Sequence, residues 1–429
     1  MRVRLREGRG TPARKSGVPH SDEPIQEDCF SWVRKESEAS MEAFTFCSPT
    51  KFVLQTDADL LCGKEAKQYT DRVLFVHYGD EFTYQSGLYD RVTQSLEREG
   101  ITYFELPGVR PNPEADLVRR GIEIVKQEKV GLILAAGGGS VIDSAKAVAI
   151  GAMYEYDVWD FYCKKAVPQR ALPVGVIMTL PATGSEASNG SVLKDNGISA
   201  DVMSELLRPA FALMNPELTL RLPWRQTAFG IIDMFTHVLE RYFSTSREAE
   251  LTDHMAEGVM RAIVTDAEKL QRNPTDPNLR AEFMWASIVA HNGLLGVGRN
   301  QDWATHALAA QMSAEFNTVH GAALSVLYPV WASYVLDEGN LMRFAQFANR
   351  VFNVEMDFYE PMRTAQKGIS CLRQFFSSLG GPATMKDLGI ESSERFHDMA
   401  CNVCQFGDIG GLKQLNIADV EAIYRLALV

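Results

Sequence analysis

From residue 52 to about residue 220, short apolar runs alternate with longer amphipathic stretches, and after that the alternation stops. VLFVHYG (73–79) reads as a buried strand, and ITYFEL (101–106), GLILAA (131–136) and VGVIMTL (174–180) read as further strands. EADLVRRGIEIVKQEK and VIDSAKAVAIGA carry apolar residues at helical spacing. Strands separated by helices are expected to pair in parallel, because each crossover lays a helix over a sheet face. Beyond NPELTLRLP (215–223) only long helical patterns follow, such as QTAFGIIDMFTHVLERYF and LRAEFMWASIVAHNGLLG. The expectation is an α/β domain over 41–221 and an all-α domain over 222–429.

Residues 1–40 fit neither pattern. Arg2, Arg4, Arg6, Arg9, Arg14 and Lys15 stand against Glu7 alone, and a Pro/Ser/acidic stretch follows. No apolar periodicity is present, so this extension is predicted to be disordered and dispensable, with Met41 opening the folded part. A net charge of −12 disfavours nucleic acid and anionic membranes as partners. No apolar run approaches the ~20 residues of a spanning helix, and no signal-peptide core is seen. Seven scattered cysteines fit a reducing, cytoplasmic setting. Cys401 and Cys404 form a lone CxxC. It reads as incidental positions on a helix, with a zinc or redox pair as the other reading.

Three stretches carry chemistry. Asp233 and His237 are four apart, which stacks them on one helix face. With His306 and His320 they offer one carboxylate and three imidazoles, a set suited to a divalent first-row metal, although each histidine alone also reads as a core residue. Gly137-Gly138-Gly139-Ser140 joins an apolar strand to a helix. Three glycines let a phosphate reach the backbone, and the helix N-terminus offers N–H groups to it. The bland alternative is a tight turn. In PATGSE (181–186) and just before it, the hydroxyls of Thr179, Thr183 and Ser185 line a cleft or cap the next segment. Asp80 and Glu81 follow a strand. There they either accept hydrogen bonds from an adenosine ribose or solvate a turn.

GVRPNP, LILAAGGGSVIDSAKAVA, LPATGSEASNGSVL, NPELTLRLPWRQTAFGIIDMFTHVLERYF, NGLLGVGRNQDWATH and VHGAALSVLYPVW occur in this order. Together with the tail FGDIGGLKQLNIADVEAIYRLAL, they make the chain from about residue 41 onward resemble the iron-containing (group III) alcohol dehydrogenases. The similarity is greatest to the branch of butanol dehydrogenases and broad aldehyde reductases. It implies a Rossmann-like dinucleotide-binding domain followed by a helical domain, the architecture shared with dehydroquinate synthase. It also implies one divalent metal, Fe2+ in first place and Zn2+ in second, on Asp233, His237, His306 and His320. The NAD(H) or NADP(H) pyrophosphate would lie on Gly137, Gly138, Gly139 and Ser140, with Asp143 beside it. Asn112, Thr179, Thr183, Ser188 and Leu218 fall where the family contacts the nucleotide, and Asp80 or Glu81 where it sorts NAD from NADP. Implied partners are a short-chain alcohol or aldehyde and further copies of the chain, as a homodimer or larger homo-oligomer.

Two departures stand out. The family's Glu-His-Glu after His306 is Ala309-Ala310-Gln311 here, so Ala310 lacks an imidazole. A lysine common near the cofactor is replaced by Ser199, and its role does not carry over to Lys194. The implied reaction is hydride transfer between a nicotinamide and a substrate whose oxygen a metal polarises. Two competing readings are a lyase related to dehydroquinate synthase and a metal- and nucleotide-binding protein without turnover. The lyase expects extra cations around its substrate, and residues 307–311 are neutral. The acids at 80–81 predict a preference for NAD(H), which a nearby cation such as Arg72 would offset.

Overall fold

The computed structural model describes residues 41–246 and 248–429. The expectation for residues 1–40 lies outside the described residues. The strands are β1 (Lys51–Leu54), β2 (Arg72–His77), β3 (Thr102–Leu106), β4 (Leu132–Gly137), β5 (Val174–Met178), β6 (Gly190–Asp195), β7 (Ile198–Met203) and β8 (Phe211–Met214). Six of them form one parallel sheet in the order β1-β8-β5-β4-β2-β3, while β6 and β7 pair as an antiparallel hairpin. The four strand patterns read from the sequence correspond to β2, β3, β4 and β5.

The helices in or beside the sheet region are α1 (Cys62–Ala66), α2 (Glu81–Gln85), α3 (Leu88–Arg98), α4 (Ala115–Glu128), α5 (Gly139–Gly151) and α6 (Trp159–Tyr162). After the last described strand come α7 (Trp224–Tyr242), α8 (Glu250–Arg272), α9 (Pro277–His291), α10 (Ala304–Phe316) and α11 (His320–Val335). These are followed by α12 (Leu341–Phe352), α13 (Pro361–Ser378), α14 (Phe396–Val403) and α15 (Ile417–Ala427).

β1, β8 and the hairpin went unread in the sequence. KFVL and FALM have four residues each, too few for a period to show. The hairpin did leave a signal. Asn196 and Gly197 turn the chain with φ of 49° and 82°, the two positive values that an Asn-Gly turn supplies.

The sheet places the candidate site through its topology. β4 is buried along its whole length, with β2 on one side and β5 on the other. Chain segments leaving β2, β4, β5 and β8 all emerge at the C-terminal edge. There the strand order reverses direction and opens a crevice. The segments 78–80, 137–140, 179–185 and 215–221 gather at this edge. Arg72 instead begins β2, at the opposite edge, and pairs with Glu128 at 2.8 Å. It cannot offset the charge of Asp80 and Glu81, contrary to the sequence expectation.

The helical core is built around α7, buried from Thr227 to Tyr242, and α11, which is apolar on all sides. These two helices touch backbone to backbone. A Cβ added at Gly321 would sit 2.2 Å from the Phe229 carbonyl oxygen. Gly321 follows His320, so this approach sets where that imidazole stands. Gly321→Ala should therefore destabilise the fold by about 1–3 kcal/mol, the usual cost of overpacking. A lowered melting temperature is the expected readout, and an unchanged one would show that α11 does not need this close approach.

Candidate metal and dinucleotide site

α7 presents Asp233, His237 and Glu240 on one face, four and three residues apart. His306 lies in the first turn of α10, and His320 is the first residue of α11. One ligand atom from each of Asp233, His306 and His320 lies within 4.8 Å of the others. Asp233 Oδ1 and His306 Nε2 are 3.7 Å apart, and both are buried without a hydrogen-bond partner. Two orphaned buried atoms facing each other are costly unless something fills the gap. The donor set fits a divalent first-row cation.

His237 stands beside this trio. Its ring centroid is 4.3 Å from that of His306, and its Nδ1 is 2.9 Å from the Asp233 carbonyl oxygen. A carbonyl only accepts, so Nδ1 carries the proton and Nε2 keeps a free lone pair. Ligating histidines are commonly held in this way.

Glu240 was not singled out in the sequence, yet it organises the site. It is fully buried. Its Oε1 accepts from the His306 backbone N–H at 3.1 Å, from His306 Nδ1 at 2.7 Å and from the Thr305 hydroxyl. Its Oε2 accepts from the Trp303 N–H at 2.9 Å. One carboxylate of α7 thus caps the N-terminus of α10, where negative charge is favoured, and fixes His306 with Nε2 toward Asp233. Burial opposes a charge on His306, but Asp233 and Glu240 overcome it and push the imidazole up to about 9. For His320 burial outweighs the same two carboxylates and draws the imidazole down to about 4. His237 is lowered too, by burial and then by the neighbouring imidazoles of His291 and His306.

Three more residues escaped the sequence reading. The Trp303 ring packs edge-on to His306 at 5.3 Å, and the Arg241 guanidinium lies 4.6 Å above the Trp303 ring. His291, at the end of α9, is 4.1 Å from His237, and its Nδ1 is buried and unpartnered. In the sequence His291 was one polar residue at the end of a helix, with no partner at ligand spacing. Ala310 is half-buried on α10.

At the crevice the predicted nucleotide residues divide into two groups. Gly138 precedes α5, and a Cβ at Gly139 would fall 2.5 Å from Thr183, so glycine there lets the 181–185 loop close on the helix N-terminus. Gly137, Ser140, Thr179 and Thr183 therefore lie on one rim. Leu218 lines a cleft of about 270 Å³ together with Asn215, Phe82, Ser86, Arg91 and Arg221. Asp80 and Glu81 are not among the residues lining it. The Asp80 carboxylate caps α2, accepting from the Thr83 N–H at 2.9 Å and the Thr83 hydroxyl at 2.7 Å.

Asp143 and Ser188 are tied inward. Asp143 accepts from the Ser185 hydroxyl at 2.6 Å and the Val192 N–H at 3.1 Å. Ser188 accepts from Lys146 through its carbonyl at 3.0 Å and its hydroxyl at 3.2 Å. Asn112 donates to the Ser313 carbonyl on α10 at 3.3 Å. Lys194 pairs across the hairpin with Ser199, so the two share a face.

The profile of the iron-containing alcohol dehydrogenase family matches residues 49–216, and the profile of that family's C-terminal part matches 227–428. The chain belongs to the iron-containing alcohol dehydrogenase family. Similar curated relatives include the probable NADH-dependent butanol dehydrogenase 2 of Bacillus subtilis, 36% identical over 90% of this chain and 100% of that protein. The NADPH-dependent aldehyde reductase YqhD of Escherichia coli is 32% identical over 82% of this chain and 91% of its own. The crystal structure of NADH-dependent butanol dehydrogenase A from Thermotoga maritima superposes with a TM-score of 0.86 at 34% identity, covering 91% of this chain and 100% of that one.

In this family member, metal uptake should depend on the proton of His306. A metal must displace it from Nε2, so affinity should rise about tenfold per pH unit up to about 9 and then level off. Glu240→Gln should move that plateau to lower pH and reduce affinity at the plateau by roughly 10- to 100-fold. Chelator competition on metal-free protein between pH 6 and 10 measures both. Equal plateau affinities would remove Glu240 from the metal's support.

Proposed function

We propose that the chain is a metal-dependent, NAD(P)-linked alcohol dehydrogenase and aldehyde reductase for short-chain primary alcohols or aldehydes. The observation that carries this reading is the orphaned pair Asp233 Oδ1 and His306 Nε2, 3.7 Å apart, with His320 and His237 beside it. Asp233, His237, His306 and His320 would hold the ion, and the 41–221 part would hold the dinucleotide. A bound divalent metal polarises a carbonyl or acidifies an alcohol, while the nicotinamide supplies the hydride.

The other roles fall to side chains of the chain. Glu240 holds the His306 tautomer, and the Asp233 carbonyl holds that of His237. The α5 N-terminus offers N–H groups to a pyrophosphate over Gly138, Gly139 and Ser140. The cleft at Leu218 suits an adenosine, with Phe82 and Leu218 as apolar walls and Arg221 exposed at its edge. With Ala310 in place of an imidazole, protons would pass through water or the cofactor's ribose hydroxyls. The lyase reading is not favoured, since the curated relatives are dehydrogenases and reductases and residues 307–311 carry no charge. No described helix is long and apolar enough to cross a membrane. A cytoplasmic location and a homo-oligomer of two or more copies belong to the same proposal, and cell fractionation and sedimentation test them.

Protein loaded with Fe2+ without air should oxidise NADH or NADPH in the presence of short aldehydes. His320→Ala should lose metal and turnover together, and full metal occupancy in that variant would remove His320 from the ligand set.

The cofactor preference is proposed to be NAD(H). Asp80 has its carboxylate fixed at the head of α2, at the strand end where a ribose would lie. A 2′-phosphate near it meets like charge at a cost of about 1–4 kcal/mol, and each ~1.4 kcal/mol is tenfold in affinity. Comparison of kcat/KM for NADH and NADPH with one aldehyde at one salt concentration decides this. A tenfold advantage for NADPH would show that neither Asp80 nor Glu81 faces the 2′ position. If NADH wins, replacing both acids with Gly and Ser should narrow the gap.

A further inference from the structure

A second cluster of reactive side chains lies outside the site described above, where α14 and α15 meet. Cys401 and His397 are four residues apart on α14, with Cys401 Sγ 3.6 Å from His397 Nε2. On the other side of the ring, His397 Nδ1 is 2.8 Å from Glu421 Oε2 on α15. Glu421 is itself held by Arg425, whose Nη2 and Nε donate to Oε1 at 2.6 and 3.0 Å. A carboxylate only accepts, so His397 Nδ1 carries a proton toward Glu421 and Nε2 is the ring nitrogen that faces the Cys401 thiol. Nucleophile, base and a third group orienting the base are the parts of an activated thiol. Cys404 ends the same helix, three residues on. Positions three apart on a helix have Cα atoms ~5 Å apart by helix geometry. That lies within the range a disulfide bridges.

We propose that Cys401 is a hydroperoxide-reactive thiol, activated by His397 and Glu421, and that Cys404 resolves it to a disulfide. In the first step His397 Nε2 takes the Cys401 proton and the sulfur attacks a peroxide oxygen. An S–O bond forms, the O–O bond breaks, and the leaving oxygen takes the proton as water or an alcohol. In the second step Cys404 sulfur attacks Cys401 sulfur. The S–S bond forms, the S–O bond breaks, and the hydroxyl leaves as water with the Cys404 proton. Two thiols are oxidised and one hydroperoxide is reduced. Cys404 suits the later step. Burial, then Asp408 and the neighbouring Cys401, raise its thiol above the usual range, and it is turned toward the Leu415 carbonyl at 4.0 Å.

The segment that receives Cys404 connects to the candidate metal site. Ile409 and Leu415 exchange backbone hydrogen bonds, and the N–H groups of Gly411 and Leu412 hold Asp302 Oδ2 at 2.9 and 2.8 Å. The Cys404 contact with Leu415 therefore lies on the loop that supports the start of α10.

The test is limiting hydrogen peroxide on the full chain, timed alkylation of remaining thiols, and peptide mass spectrometry. Exposed Cys47 serves as the internal control. Expected is a Cys401–Cys404 disulfide forming before Cys47 oxidises, slowed on the order of tenfold or more in His397→Ala and less in Glu421→Gln. Cys404→Ser should leave a sulfenic acid on Cys401 that a dimedone probe captures. His397 and Glu421 lie at the surface, and thermal melts confirm that the variants fold. Oxidation of Cys401 no faster than Cys47, or an unchanged rate in His397→Ala, would overturn the proposal. So would oxidation to the sulfinic acid without a disulfide.

Discussion

The arrangement of this molecule depends on one buried carboxylate receiving hydrogen bonds from another helix. Glu240 on α7 accepts from two backbone N–H groups, a hydroxyl and an imidazole at the start of α10. An unpaired buried carboxylate is prohibitively costly, so α10 must begin where it does and at no neighbouring register. That one constraint sets the separation of α7 and α10 and the orientation of His306. Asp233 Oδ1 then faces His306 Nε2 at 3.7 Å, both without a hydrogen-bond partner among the described residues.

Much of this was legible in the sequence, for physical reasons that can be named. The buried strands β2, β4 and β5 showed as apolar runs because a parallel sheet covered on both faces needs side chains of one kind. Asp233 and His237 showed as a pair because helical spacing brings i and i+4 together. Glu240 did not show. A glutamate in a helix is ordinary, and only the tertiary contact with residues over sixty positions later gives it meaning. His291 was hidden for the same reason, since α9 had to fold against α7 before an imidazole there could matter. The short strands β1 and β8 lacked the length for a pattern, whereas the Asn196-Gly197 turn was visible and passed over.

The dinucleotide residues show a different limit. Similarity in sequence set Asp143 beside the pyrophosphate and Ser188 at the nucleotide, and both make hydrogen bonds within the protein. Asp143 fastens the 181–188 loop and β6 to α5 through Ser185 and Val192, and Ser188 satisfies the buried ammonium of Lys146. Such residues hold the loop beside the α5 N-terminus in place. A motif records that a residue is required, and the hydrogen-bond partners tell which way it faces.

The grip of Gly411 and Leu412 on Asp302 bears on how the protein is made. Asp302 Oδ1 caps α10 through the Ala304 N–H at 3.0 Å, and its other oxygen is held by the loop of Gly411 and Leu412, far later in the chain. During synthesis on a ribosome, α7, α10 and α11 all emerge before that loop does. The start of α10 therefore lacks that support until the segment around Gly411 and Leu412 has emerged. A centre built on α7, α10 and α11 would thus gain its full support only after the 411–412 segment, more than a hundred positions beyond Asp302, has been made.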